Sequence, residues 1–251
     1  MSPSLDELKH FLDQCTDGER AALLDYLKAR LPQHPLETEW GVGAEVILSA
    51  ISRSSDLTKR GVRGIIAEAV FERNVLAALK GWKAVRFTED RPYDFLLRSE
   101  GKEPREARIQ VKLQRMLKQQ PMLASQANRH YSGKHYVVEV QKTRGGVDPQ
   151  TKEDTRPYRF GEFDILAVNM HPSTRDWNIF LYTLSEWLLP RHPNKALIEI
   201  FQPVPPAPTD VWTESLGTCL DWLLKGEKKR ILDIAPELLA RRLRKPREKA
   251  E

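Results

Sequence analysis

Residues 92–114 read PYDFLLRSEGKEPREARIQVKLQ, and this stretch decides the fold. The apolar run FLL follows Asp94 directly and predicts a short strand. After a polar turn, apolar and polar side chains alternate over residues 109–114, which is the period of a strand with one buried and one polar face. The stretch therefore predicts two strands joined by a turn, with Gln110 and Lys112 projecting from the same face of the second.

Three polar side chains in this stretch are suited to act together. Mg²⁺ prefers hard oxygen ligands and keeps several of its waters, so the Asp94 carboxylate and the Gln110 side-chain carbonyl can hold it while a substrate phosphate completes the shell. Lys112 would then orient or deprotonate the attacking water, or neutralise developing charge. The pattern predicts a device that holds a divalent cation beside a phosphodiester.

The pattern resembles the PD-(D/E)XK nuclease superfamily, and most of all its type II restriction endonucleases. Pro92 and Asp94 correspond to the first half of the family motif, and residues 110–112 to the second half. Two departures are visible. Tyr93 is inserted between the proline and the aspartate, and Gln110 stands where the family usually has Asp or Glu. The family core places a helix before a three-strand meander, and this sequence predicts both in that order.

The helix predicted over residues 58–80 supplies a further candidate ligand. Glu68 and Glu72 lie one turn apart at the margin of its apolar side and face the same general direction. The superfamily commonly carries a glutamate on its first core helix that reaches the metal, and the surrounding sequence resembles that helix best at Glu68. Glu72 is the alternative, and a carboxylate that is solvated or paired with Arg73 is the simpler interpretation of each.

A rival motif lies in the strand predicted over residues 136–141. Glu139 and Gln141 also place an acid and a polar group on one strand face. Lys142 points to the opposite face, so this strand lacks a lysine at the required spacing, and we prefer the Gln110 strand. Glu139 can instead pair with a base on a neighbouring strand.

Charge is spread unevenly along the chain. Residues 1–50 hold nine acids and four bases, a balance of −5, so the net charge of +5 leaves +10 on the remainder. This asymmetry suits a polyanion partner, with a merely solvated surface as the alternative. The loop over residues 143–159 is rich in glycine, proline and charge, and loops of this length are often functional. We expect DNA contacts from Gln114, Arg115, Arg144, Arg156 and Arg159.

The expected fold class is α/β, with a central mixed sheet of about five strands flanked by helices. Residues 1–57 form an N-terminal helical region with two capping boxes, residues 58–201 the nuclease core, and residues 202–251 a proline-rich connector, a helix and a basic tail. Later strands are predicted over residues 163–168, 177–182 and 195–201. Helical character is predicted over residues 115–128, 183–189 and 210–224.

The resemblance implies Mg²⁺-dependent, site-specific cleavage of double-stranded DNA, with the metal held by Asp94, Gln110 and Glu68 and the nucleophile assisted by Lys112. It also implies a homodimer, because palindromic sites usually match a twofold dimer, and a companion DNA methyltransferase. A structure-specific repair or recombination nuclease is one alternative. A catalytically silent DNA-binding protein of the same fold is the other, since Gln110 removes a negative charge from the metal site.

Cysteine content and hydropathy indicate the cellular compartment. Cys15 and Cys219 are the only cysteines and no Cys/His cluster surrounds them, which argues against a disulfide framework or a structural zinc site. No apolar run approaches the length of a membrane span, and the first residues lack the pattern of a signal peptide. We therefore expect a cytoplasmic protein with no membrane partner.

Overall fold

The computed structural model describes residues 4–31, 33–142, 145–146 and 156–231. The chain divides into two compact units, residues 1–59 and 60–251. The described part of the first unit contains the start of α5 (Asp56–Val70) and four complete helices: α1 (Leu5–Gln14), α2 (Asp17–Lys28), α3 (Pro35–Trp40) and α4 (Ala44–Arg53).

In the predicted N-terminal helical region, both α1 and α2 begin at a capping box. The Ser4 hydroxyl accepts from the Glu7 backbone N–H, and the Glu7 carboxylate accepts from the Ser4 N–H at 2.7 Å. Thr16 and Glu19 repeat this exchange at the start of α2. Each pair satisfies backbone donors that a helix start leaves without partners, which fixes where α1 and α2 begin.

The second unit alternates helices and strands. Helix α5 continues to Val70 and is followed by a π-helical turn (Phe71–Val75) and a 3₁₀ turn (Leu76–Ala78). The remaining elements are β1 (Trp82–Val85), β2 (Phe95–Ser99), β3 (Glu106–Leu113), β4 (Met116–Leu117), β5 (Gln120–Pro121), α6 (Ala124–Ala127), β6 (Tyr136–Glu139), β7 (Ile165–Asn169), α7 (His171–Thr174), β8 (Phe180–Leu184), a 3₁₀ turn (Ser185–Trp187) within the stretch predicted as helical, β9 (Phe201–Val204) and α8 (Leu216–Lys225).

Five strands form a central mixed sheet in the order β1-β2-β3-β7-β8. Strands β1, β2 and β3 are antiparallel neighbours, β3 and β7 run parallel, and β7 and β8 are antiparallel. At the start of the parallel pair, Asp164 accepts from the Arg108 backbone N–H at 2.8 Å and from its guanidinium at 2.6 and 3.0 Å. The predicted α/β class with a central mixed sheet is confirmed.

The core surrounds β7 and β8, whose residues are all buried. Phe71, at the end of α5, places its ring centroid 5.2 Å from that of Phe95 and 5.5 Å from that of Phe180. Helix α8 lies against β8 and contributes Leu216 and Leu220 to the same core. Burial on both faces of β7 explains why its sequence is apolar without alternation.

Several predicted elements differ from the observed ones. The stretch predicted as helical after Arg115 forms the β4–β5 hairpin and the short α6, because Pro121 cannot lie inside a helix and Lys118 and Gln119 adopt positive φ angles of 47° and 62° at the turn. The strand predicted over residues 195–201 overlaps the observed β9 only at Phe201, and β9 pairs with β6. The final helix begins at Leu216, where the Ser215 hydroxyl caps it. Among the described residues, no helix combines the length and apolar composition needed to cross a bilayer.

Candidate active site

Asp94 is held at the junction of β2 and β3. Its backbone N–H donates to the carbonyl of Ile109 at 2.9 Å, which starts the pairing of the two strands. Its Oδ2 accepts from the Val111 N–H at 2.7 Å and from the Gln110 side-chain Nε2. All hydrogen bonds that described residues donate to this carboxylate reach Oδ2, so none of these donors occupies Oδ1.

Gln110 is buried beside Asp94, with 2% of its surface exposed. Its Nε2 donates to Asp94, and its Oε1 accepts no hydrogen bond from any described residue. A neutral amide can be buried against a carboxylate at low cost, whereas glutamate would bring a second negative charge. The pair therefore offers two oxygens without partners, Asp94 Oδ1 and Gln110 Oε1.

Lys112 lies two residues further along the same strand and is half-buried. It forms no hydrogen bond or ion pair with the described residues, and its Nζ lies 5.6 Å from the ring centroid of Tyr158. Burial lowers the pKa of Lys112, and the negative charges of Asp94, Glu68 and Glu139 oppose that shift. The ammonium group is thus held near carboxylates without being bound to one of them.

Glu68 reaches the same site from α5. Burial raises the pKa of Glu68 to about 7; the charge of Asp94 adds to this shift and that of Lys112 opposes it. Glu72 is exposed and falls in the π-helical turn that begins at Phe71, where the helix changes its phase. The structure therefore brings Glu68 to Asp94, and Glu72 stays at the surface.

Tyr158 forms a wall of the site that the sequence analysis missed. Its ring is buried, packs edge to face on Phe163 at 5.2 Å, and lies 5.4 Å from the Lys142 Nζ. Burial raises the pKa of Tyr158, and the negative charge of Asp94 adds to the shift. An aromatic residue inside a polar loop gives no periodic signal. Only the charged residues that surround Tyr158 in the sequence could have indicated a role for it in the site.

The rival acid, Glu139, is engaged by basic and polar neighbours. Its Oε2 accepts from Arg115 Nη1, and its Oε1 accepts from Gln141 Nε2. Arg60 Nη1 lies 3.8 Å from the same Oε2. The alternative that Glu139 pairs with a neighbouring base is therefore what the structure shows, and both of its oxygens are occupied.

The residues expected to contact DNA differ in exposure. Gln114 is 1% exposed and its Oε1 accepts from the Ser173 N–H at 3.0 Å, so α7 covers this side chain and the surface does not present it to DNA. Arg115 is partly exposed beside Glu139. Arg156 and Arg159 are exposed, and Arg144 lies outside the described residues.

The donor set of the site suits Mg²⁺. Glu68 and Asp94 provide carboxylates and Gln110 an amide carbonyl, all hard oxygens, and Mg²⁺ completes its octahedron with waters and substrate phosphate. Within the described part of the chain, no group of three or more His, Cys, Asp or Glu side chains is placed to hold a metal. The site therefore fits a cation held by two acids and an amide, with further ligands from outside the protein.

Replacing Glu68 by glutamine should change how stability depends on pH. A carboxyl whose pKa is raised to about 7 in the folded state, from 4.5, destabilises the fold progressively as pH rises through that interval. Glu68→Gln removes this penalty, so the variant should exceed wild type by about 1–2 kcal/mol at pH 8, after allowance for partial exposure. At pH 4 the two should agree.

Denaturant unfolding at both pH values in the absence of divalent cations measures this difference. Glu72→Gln, one turn away on the exposed side, is the matched control and should leave stability nearly unchanged at both pH values. An equal effect of Glu68→Gln at pH 4 and pH 8 would contradict the buried position of Glu68.

The chain was compared with protein-family models, with curated proteins and with solved structures, and no match was found. Its function is therefore inferred from the residues of this site.

Proposed function

We propose that the protein is a Mg²⁺-dependent endonuclease that hydrolyses phosphodiester bonds of double-stranded DNA at specific sites, in the manner of the type II restriction endonucleases that its motif resembles. One observation carries the proposal: four polar side chains from α5, the start of β2 and β3 converge on one half-buried site. They are Glu68, Asp94, Gln110 and Lys112.

The residues divide the chemistry between them. Asp94 and Gln110 would hold the cation through the oxygens that no donor among the described residues occupies, with Glu68 adding a second charge. When bound, Mg²⁺ supplies Lewis-acid stabilisation of the phosphate and lowers the pKa of water. The Val111 N–H fixes Asp94 before substrate arrives, so little reorganisation is needed.

Lys112 is the residue closest to the proton chemistry. It projects from the same strand face as Gln110, about 7 Å along the strand, which places its ammonium within reach of a phosphate bound at the oxygens of the site. Because burial lowers its pKa, Lys112 gives up a proton more readily than a surface lysine and can accept one from water. In its charged form Lys112 neutralises the negative charge that develops on the phosphate oxygens.

The charge distribution supports a DNA substrate. Residues 51–251 carry the excess of +10, and the partly exposed Arg115 adjoins the site. A palindromic recognition sequence would be read by a homodimer. A cell that holds such an enzyme must protect its own sites, so the proposal includes a companion DNA methyltransferase and a cytoplasmic location.

A second candidate function is a DNA-binding protein without catalysis. The observation that favours it is the orientation of Gln110, whose amide nitrogen faces Asp94 and whose neutrality leaves the strand without the usual acidic ligand. Incubation with supercoiled plasmid separates the two functions. The nuclease converts the plasmid to open-circular or linear forms with Mg²⁺ and leaves it intact with EDTA, whereas the binding protein shifts it without cutting.

A further inference from the structure

Two arginines lie beside one carboxylate next to the proposed active site, and a third follows one of them on α5. Arg115 Nη1 donates to Glu139, and Arg60 Nη1 lies 3.8 Å from the same oxygen. Arg63 follows Arg60 by three residues on α5, which makes the two neighbours on the helix surface. We name Arg60, Arg63 and Arg115 the arginine cluster. Two of its positive charges, those of Arg60 and Arg115, lie beside the single negative charge of Glu139, and Arg63 adds a third charge on the same helix.

The arginine cluster also contains buried N–H groups that have no hydrogen-bond acceptor among the described residues. Among the described residues, the buried side-chain polar atoms without a hydrogen-bond partner include Arg63 Nε and Arg115 Nε. Both are N–H donors. A buried donor without an acceptor destabilises the fold, and guanidinium groups match the geometry of phosphate. The excess of charge and of donors therefore indicates an anion site.

The cluster lies within reach of the reacting phosphate. Helix α5 carries Arg60 eight residues before Glu68, a separation of about 12 Å along the axis. One DNA strand advances about 3.4 Å per nucleotide, so this distance spans only a few nucleotides. Between the two, Gly64 leaves the helix surface bare, since a Cβ there would meet nothing within 4 Å. The negative charge of Glu139 also raises the pKa of Lys112, so the cluster lies near the strand that carries Lys112.

We propose that Arg60, Arg63 and Arg115 bind a phosphate of the substrate strand a few nucleotides from the scissile one, and that Glu139 takes the place of this phosphate in the free protein. The inference rests on the proposed function for the identity of the substrate. Glu139 keeps the guanidinium of Arg115 oriented before DNA arrives and repels the incoming phosphate. It is a positioning residue that sets DNA affinity.

Two substitutions test the cluster in opposite directions. Arg60→Gln should weaken binding to duplexes of every sequence and make the slope of log affinity against log salt shallower by about one, because one phosphate contact is lost. Glu139→Gln should strengthen binding and make the slope steeper by up to about one. Arg98→Gln is the matched control, since Arg98 is 52% exposed and paired with Glu106, while Arg60 is 48% exposed. It should change neither quantity.

Fluorescence anisotropy of a labelled 30-base-pair duplex, roughly 100 Å long, with Ca²⁺ in place of Mg²⁺ and salt varied, measures these slopes, and thermal melting checks that each variant is folded. Slopes of Arg60→Gln and Glu139→Gln equal to that of wild type would overturn the inference, as would an equal change in Arg98→Gln. Plasmid cleavage is scored separately. A wild type that binds but does not cut contradicts only the proposed function, and one that cuts while all slopes agree contradicts only the arginine cluster. Absence of binding contradicts both.

Discussion

Replacement of Asp94 by alanine is expected to abolish DNA cleavage and to leave DNA binding largely intact. The carboxylate supplies the central oxygen of the proposed metal site and otherwise repels phosphate, so its loss removes catalysis without removing a DNA contact. We expect the cleavage rate to fall by at least about 1,000-fold, equivalent to about 4 kcal/mol of transition-state stabilisation.

Plasmid cleavage with Mg²⁺ and anisotropy with Ca²⁺ measure the two halves of this prediction on the same preparation. Asp90→Ala is the matched control, because Asp90 is an exposed acid four residues earlier and lies outside the proposed ligand set. It should cut as wild type does. Cleavage by Asp94→Ala at a near-normal rate would remove Asp94 from the site.

Gln110→Leu should lose most cleavage, about 100-fold or more, because leucine keeps comparable bulk while removing the oxygen that faces the site. Gln110→Glu should behave differently. In the free protein a second carboxylate would repel Asp94, and a bound cation would relieve this repulsion. This variant should therefore bind Mg²⁺ or Ca²⁺ more tightly than wild type in the absence of DNA.

Calorimetric titration with Ca²⁺, paired with plasmid cleavage, tests the Gln110 variants. Wild type should bind the cation weakly until a substrate phosphate enters the shell, since it provides fewer ligand charges than two strand acids would. If Gln110→Leu cuts normally while Glu139→Ala is inactive, the metal site belongs to the Glu139 strand and the motif has been placed on the wrong residues.

The half of the site that lies on β2 and β3 could be predicted because it is local. Period-two alternation fixes the faces of β3, and a hairpin brings the start of β2 to its partner without help from distant sequence. The hydrogen bond from the Asp94 N–H to the Ile109 carbonyl and the contact between Asp94 and Gln110 follow from that register. The antiparallel β1–β2–β3 part of the sheet was predictable for the same reason, whereas the parallel pairing of β3 with β7 joins segments that are distant in sequence.

The positions of the other residues depend on tertiary contacts that the periodicity of the sequence does not predict. Alternation places Gln114 on the face of Gln110 and Lys112, yet α7 folds over that end of the strand and buries it. Helical spacing leaves Glu68 and Glu72 equivalent, and the π-helical turn separates them. Tyr158 enters the site from a loop whose sequence is rich in charge, glycine and proline and shows no strand or helix period. In each case a segment distant in sequence, or a break in helix phase, decides the position of the side chain.

Digestion of a fully sequenced phage DNA, with end mapping of the products, tests the central claim most directly. With Mg²⁺, the wild-type protein should yield discrete fragments whose ends fall at one recurring sequence, and with EDTA the DNA should stay intact. Cleavage confined to branched or damaged DNA would replace site specificity with structure specificity. Intact DNA at every Mg²⁺ concentration, from a protein that binds the same DNA, would contradict the assignment of Glu68, Asp94, Gln110 and Lys112 as a nuclease site.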